Sequence, residues 1–200
     1  MLTPWGYEIV LAQGQTMPDL MTKAQFNTAT GSQFASAEGL DIALAAASAA
    51  IRNYCGWHIA PALTCKAKTW TGGRFLFTPW MAMSAVASVV ENGVTLDATS
   101  YDWRSSGVIR RRDGFCWCDL PWNTIEVTAT AGYDTIDNVL QQVIIQLVGN
   151  ALAAPLGVRE EHAGQVGISY NQTGSGMTGG ITLTPRDEAL LEVYVKREAI

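Results

Sequence analysis

Apolar positions along the chain follow two different rhythms. Leu40, Leu44, Ala47, Ile51 and Tyr54 recur at steps of four and three beside a small-residue face from Ala43 to Ala50. This predicts an amphipathic helix opened by a cap at Ser36 and closed by Gly56. The alanines favour helix and let a second helix approach closely, so this face could meet the protein's own core or a neighbouring subunit. Val139, Val143, Leu147 and Ala151 repeat the pattern, with Leu140, Ile144 and Val148 on the adjacent row, from a start at Asp137 to a stop at Pro155 and Gly157. A third helix starts at Thr184-Pro185-Arg186-Asp187, with its cap, its first-turn proline and an acid at the third position, and runs into Leu190, Leu191, Tyr194 and Val195.

Between the first two helices the rhythm changes to two. Val86, Val89 and Val90 precede Asn92-Gly93, with Val94 and Leu96 after it, a strong hairpin signal. A second hairpin turns at Ser105 to Gly107, between Tyr101-Asp102-Trp103 and Val108-Ile109. Ile125, Val127 and Ala129 alternate with Glu126, Thr128 and Thr130, the pattern of a half-buried strand. The expected block is a small antiparallel unit of about five or six short strands, an ordinary sheet size. Residues 1–35 show no sustained period and read as an extended arm. The stretch 158–183, with glycines from Gly174 to Gly180, is longer than an ordinary connection. Its Gly174-x-Gly176 lacks the flanking strand, helix and third glycine of a nucleotide loop.

The fold class expected is α+β: a helical core of three main helices carrying an inserted antiparallel β domain and extended arms. The parts are an N-terminal arm at 1–35, a core helix at 36–58, the β domain at 59–134, a core helix at 135–157, a Gly-rich flexible loop at 158–183 and a C-terminal core helix at 184–200. With 200 residues, 48% hydrophobic and 16% charged, the chain can bury a real core and is too apolar for disorder. No apolar run approaches a membrane span. Met1 to Val10 carries Glu8 and no basic residue, the wrong pattern for a signal peptide, so the chain reads as unexported.

Charge is uneven. Residues 66–112 hold seven basic and three acidic residues, whereas 113–200 hold four and eleven, within a net charge of −5. The overall acidity argues against a dedicated nucleic-acid binder but leaves room for a local basic patch. Arg110-Arg111-Arg112, with Arg104 close by across the hairpin, is the main charge run. In a strand Arg110 and Arg112 share one face and Arg111 takes the other. A solvated, edge-protecting run and a contact surface are both open readings. Six of the seven tryptophans, Trp57, Trp70, Trp80, Trp103, Trp117 and Trp122, fall in or beside the β block, more than a small sheet easily covers. With the arginines, Trp80 and Trp103 are therefore candidates for contact with a partner or subunit.

Catalytic chemistry finds little support. Neither Gly-x-Ser-x-Gly nor His-Glu-x-x-His occurs. Glu160-Glu161-His162 reads as a solvated cluster, and His58, between apolar neighbours, as a packed histidine. Cys55, Cys65, Cys116 and Cys118 are expected to be reduced. Cys116 and Cys118 lie one residue apart, too close for usual zinc spacing, which weakens a site with His58 or His162. No catalytic residue, cofactor or metal is assigned.

The block Ala49-Ala50-Ile51-Arg52-Asn53-Tyr54-Cys55-Gly56-Trp57-His58-Ile59-Ala60-Pro61, followed by the Asn92-Gly93 hairpin, the Tyr101-Asp102-Trp103 to Gly107-Val108-Ile109 segment, the Val127 to Tyr133 strand and the Ala163-Gly164 to Ser169 stretch, carries a family resemblance. Over about residues 37–197 the chain resembles the head-to-tail connector (adaptor, or head completion) proteins of long-tailed bacteriophages. The most specific piece is Tyr54, Cys55, Gly56, Trp57, His58 and Ile59 with Pro61, read as structural. The resemblance implies a non-enzymatic virion protein forming a ring, typically twelve copies, between portal and tail. Its partners would be further copies, the portal protein, a tail or neck completion protein and genomic DNA passing without sequence-specific binding, with no membrane. It would sit in the virion neck, and in the host cytoplasm during assembly. A β-domain binding module, for carbohydrate on a virion or cell surface, is the alternative.

Overall fold

A computed structural model of the chain describes residues 1–69, 73–114, 116–117, 124–153, 160–163, 166–169 and 181–196, with the backbone alone for Thr69, 160–163 and 166–169. The architecture is mixed α+β in two compact units. One comprises Met1–Pro18, Gly56–Thr135 and Lys196; the other comprises Asp19–Cys55 and Ile136–Val195.

Among the described residues the first unit holds eight strands, β1 (Glu8–Ile9), β2 (Leu63–Thr69), β3 (Phe75–Phe77), β4 (Met83–Glu91), β5 (Val94–Thr95), β6 (Tyr101–Arg104), β7 (Val108–Arg111) and β8 (Ile125–Ala131). They form not one sheet but two, a five-stranded sheet in the order β1-β2-β8-β4-β5 and a three-stranded sheet in the order β3-β7-β6. Every pairing is antiparallel. Central β8 alternates as its sequence requires, with Ile125, Val127, Ala129 and Ala131 buried and the residues between them half-buried. Asn92 and Gly93, at φ 49° and 84°, form the tight β4–β5 turn that a two-residue hairpin demands. The other hairpin joins β6 and β7 with Trp103 opposite Ile109.

The extended arm expected at 1–35 requires correction. Tyr7 and Ile9 are buried, β1 pairs with β2 at Glu8–Lys66 and Ile9–Cys65, and Val10 N–H donates to Thr64 O at 2.8 Å. In the second unit, helix α1 (Lys23–Ala29) opens on a capping box in which Thr22 Oγ1 and the Gln25 side chain each accept from the other residue's backbone N–H, and Phe26 is fully buried. These elements are too short to show a period, and long-range burial decides them.

The second unit also holds α2 (Leu40–Cys55), α3 (Asn138–Ala153) and α4 (Pro185–Leu191). Helix α2 starts four residues later than its expected cap at Ser36. Residues 32–37 spend their hydrogen bonds in tight turns, Ala35 to Ser32 and Ala37 to Phe34, and Ala43 N–H to Gly39 O closes the first helical turn. The inner face of α2 is Leu40, Ala43, Leu44, Ala47 and Ile51, and Ile42, Ala45, Ala46 and Ala49 are exposed. Asp137 Oδ1 caps α3 through Leu140 N–H at 2.9 Å, and Asp137 Oδ2 accepts from Tyr194 Oη. The Thr184–Asp187 capping box forms as its sequence spells, and one 3-10 turn, Glu192–Tyr194, follows α4. Within 158–183, Glu160–Ala163 (β9) and Val166–Ser169 (β10) pair as an antiparallel hairpin, whereas the Gly174 to Gly180 run, Pro155 and Gly157 lie outside the described residues.

Candidate interaction surface on the three-stranded sheet

Two residue clusters singled out by the sequence now have geometry, and they differ in kind. In the Tyr54–Pro61 block, Gly56 at φ 77° ends α2, and Trp57, His58 and Ile59 are completely buried. His58 Nε2 lies 2.9 Å from Ala131 O, which can only accept, so Nε2 carries the proton and Nδ1 accepts from Tyr7 Oη at 2.7 Å. The Tyr7 oxygen in turn accepts from His58 N–H at 3.0 Å. This ring is a tether between the N-terminal segment, the signature block and β8. Burial pushes the thiols of Cys55 and Cys65 up to about 12, which keeps them protonated and poorly nucleophilic. Among the described residues no group of three or more His, Cys, Asp or Glu side chains could hold a metal, and Cys118 lies outside them.

The second cluster faces outward. The β3-β7-β6 register sets Phe75 opposite Arg110 and Arg110 opposite Asp102; it likewise sets Phe77 opposite Val108 and Val108 opposite Arg104. Period two then places these six side chains on one face, while Leu76 and Ile109 fill the buried face. Phe75 and Phe77 are 47% and 45% exposed, with ring centroids 6.5 Å apart. Edge-strand Trp103 is 39% exposed and, with Phe75, Arg104, Val108 and Arg110, lines an open groove of about 480 Å³. A shallower hollow of about 320 Å³ adjoins it, lined by Arg74, Phe75, Arg110 to Arg112 and Gly114.

The arginine triplet divides between its two faces. Asp102 receives Arg112 Nε at 2.7 Å and Arg110 Nη2 at 3.3 Å, and these guanidiniums, Arg112 foremost, hold its carboxyl below the ordinary carboxylate range against a smaller opposing effect of burial. Arg111 points the other way, where Glu91 Oε2 at 2.9 Å and Asp113 Oδ2 at 2.8 Å pair with it and Trp117 lies under its guanidinium at 5.8 Å. Arg111 thus ties β7 to β4 in the other sheet and leaves the candidate contact set. Trp80 leaves it too: it is completely buried, edge-on to Tyr7 at 5.2 Å. Trp57 and Trp117 are likewise buried, and Trp70 and Trp122 lie outside the described residues. Arg74 and Arg104 are exposed and have no ion-pair partner among the described residues. Sequence reasoning missed Arg74, Phe75 and Phe77. The Phe75-Leu76-Phe77 alternation was its one available signal.

The surface is therefore aromatic and cationic, with four arginines against one carboxylate, and nothing in it resembles a nucleophile with its base. No known protein family and no curated protein matches the sequence. Two solved structures do match it by shape. A chain in the neck of an empty GTA (gene transfer agent) particle, computed with C6 symmetry, has a TM-score of 0.60 at 16% identity, covering 97% of each chain. A chain in the neck of a native GTA particle, computed with C12 symmetry, has a TM-score of 0.55 at 14% identity over 93% of this chain and 98% of that one. The fold is similar to that of phage-like neck proteins. At these identities the likeness establishes the fold, and at 97% and 93% coverage it extends over most of the chain.

Proposed function

We propose that this protein is a non-enzymatic structural subunit of the neck of a phage-like virion, a connector that forms a ring between portal vertex and tail and continues the DNA channel. The observation that carries this reading is the fold likeness over 97% of both chains to a GTA neck component. The symmetric C6 and C12 reconstructions of those necks support a closed ring, with twelve copies in the particle. The partners in this reading are further copies, the portal protein and a tail or neck completion protein, in the virion neck and, during assembly, in the host cytoplasm.

DNA passes through such a ring without being gripped. Twelve copies at −5 each carry about −60 by formal charge, a repulsion screened beyond about 8 Å at physiological salt. Tight phosphate pairing would add salt-sensitive affinity and hence friction. A carbohydrate-binding reading, for which Trp103, Phe75 and Phe77 would be the stacking platform, has less support, because Trp57, Trp80 and Trp117 are buried and the fold likeness points to neck components.

The test is co-expression with the portal and tail proteins of the same particle, followed by light scattering and electron microscopy. The expected result is density for this chain as a closed ring between portal and tail. A chain that is monomeric in solution and absent from the necks of assembled particles overturns the reading.

A further inference from the structure

We infer that the Arg74–Phe75–Phe77–Arg104 face of one copy receives the exposed face of α2, around Glu38, Asp41 and Ile42, of a second copy. The inference rests on the ring reading above. A cyclic ring of one chain is held by heterologous contacts, so two different and complementary faces must lie on the same chain. The described surface offers such a pair.

The first face is cationic and aromatic. Arg74 and Arg104 flank the half-exposed Phe75 and Phe77, and among the described residues Arg110 and Arg112 share Asp102 as their one ion-pair partner. This local excess of three positive charges stands on a chain whose net charge is −5, so the rest of the chain is strongly acidic. The second face is acidic and apolar. Ile42 is 76% exposed on the outer side of α2, with Ala45, Ala46 and Ala49 continuing a flat apolar strip. Glu38 and Asp41 stand at the strip's N-terminal end; Asp41 is met by Lys23 at 3.3 Å, and Glu38 has no ion pair among the described residues. Phenylalanine rings against alanines and an isoleucine, and arginines against the two carboxylates, satisfy both surfaces at once. An exposed large isoleucine beside three exposed alanines is the kind of patch that association covers.

The experiment is sedimentation velocity on the full chain up to about 1 mM, at low and physiological salt, on three samples. These are the wild type, R74E/R104E and E38K/D41K. The four substituted side chains are exposed, and circular dichroism checks that each variant is folded. The wild type is expected to self-associate more strongly at low salt. Each variant alone should associate at least 10-fold more weakly, and an equimolar mixture of the two should recover to within 3-fold of the wild type, because each supplies the face the other lacks. Three results overturn the inference: a wild type that stays monomeric across this range, an acidic-face variant that associates like the wild type, or a mixture that fails to recover. A chain that fails this test but appears in particle necks refutes the self-contact and leaves the neck function standing. One that self-associates as described but is absent from necks does the reverse.

Discussion

Replacing Tyr7 by Phe removes one oxygen and nothing else, and the structure assigns that oxygen two bonds. It accepts from His58 N–H at 3.0 Å and donates to His58 Nδ1 at 2.7 Å, with Tyr7 only 1% exposed and His58 fully buried. His58 Nε2 is already committed to Ala131 O, and Cys65 Sγ, 4.0 Å from Nδ1, is a weaker donor than the phenol, so the imidazole gains no equal substitute without giving up that bond. A buried polar group that loses its partner costs about 1–3 kcal/mol, so the two groups together should cost about 2–6 kcal/mol. Aromatic packing on Trp80 remains, which isolates the hydroxyl contribution. All seven tryptophans lie in segments 1–18 and 56–135, so their fluorescence during urea unfolding reports on the unit that holds the bond. With a slope of roughly 2 kcal/mol/M, the midpoint should fall by about 1–3 M at unchanged slope. A shift below about 0.3 M refutes the claim that this hydroxyl ties the N-terminal segment to the signature block.

Other outcomes follow from the same geometry. Gly132→Ala should destabilise by about 3 kcal/mol in the same assay, since its φ is +108° and an added Cβ would lie 2.7 Å from both His58 Nε2 and Pro61 O; a loss under about 1 kcal/mol contradicts that crowding. Cys55 and Cys65, with thiols raised to about 12 by burial, stay protonated in the folded chain where unfolded thiols ionise near 9. Their contribution is therefore complete below about pH 9 and is lost as pH rises towards 12, so Tm should fall over that window and less steeply in Cys65→Ala. Rapid labelling of both thiols in the native chain at pH 8 would count against this. Arg111→Gln should cost about 2 kcal/mol by leaving the largely buried Glu91 carboxylate without its guanidinium, while Arg110→Gln should leave the urea midpoint unchanged within error; equal effects would mean that the two faces of β7 are not distinguished.

What could be read from the sequence is what short-range physics decides. The Asn92-Gly93 turn, the Thr184 capping box, the Asp137 start of α3 and the alternation along β8 each depend on a few adjacent residues, and each is present. The division of the strands into two sheets is not local. Nothing in Phe75-Leu76-Phe77 states that it pairs with β7, more than thirty residues later, and not with the neighbouring β4. Segment 1–10 fails for the same reason, because a two-residue strand has no period and its place depends on Cys65, Lys66 and His58. At the candidate surface, period two correctly separated Arg110 and Arg112 from Arg111. Which carboxylates they meet, and that Trp80 is buried under Tyr7, came only with the tertiary fold.

The arginine triplet also explains how an acidic chain can carry a basic surface without losing stability at its core. Neighbouring residues on a strand must look in opposite directions, so one charge run performs two tasks that would conflict on a single face. Arg111, only 20% exposed at its side chain, answers two carboxylates and an indole, joins the two sheets and leaves no charge to spare. Arg110 and Arg112 are more than half exposed and share one aspartate between them, so that side keeps an excess of positive charge. Exposed charges add little to folding, which leaves their number and sign free of the core's demands. Replacing the whole triplet at once would therefore mix a folding defect with a binding defect. Arg74 and Arg104, which have no internal ion pair among the described residues, probe the contact surface alone.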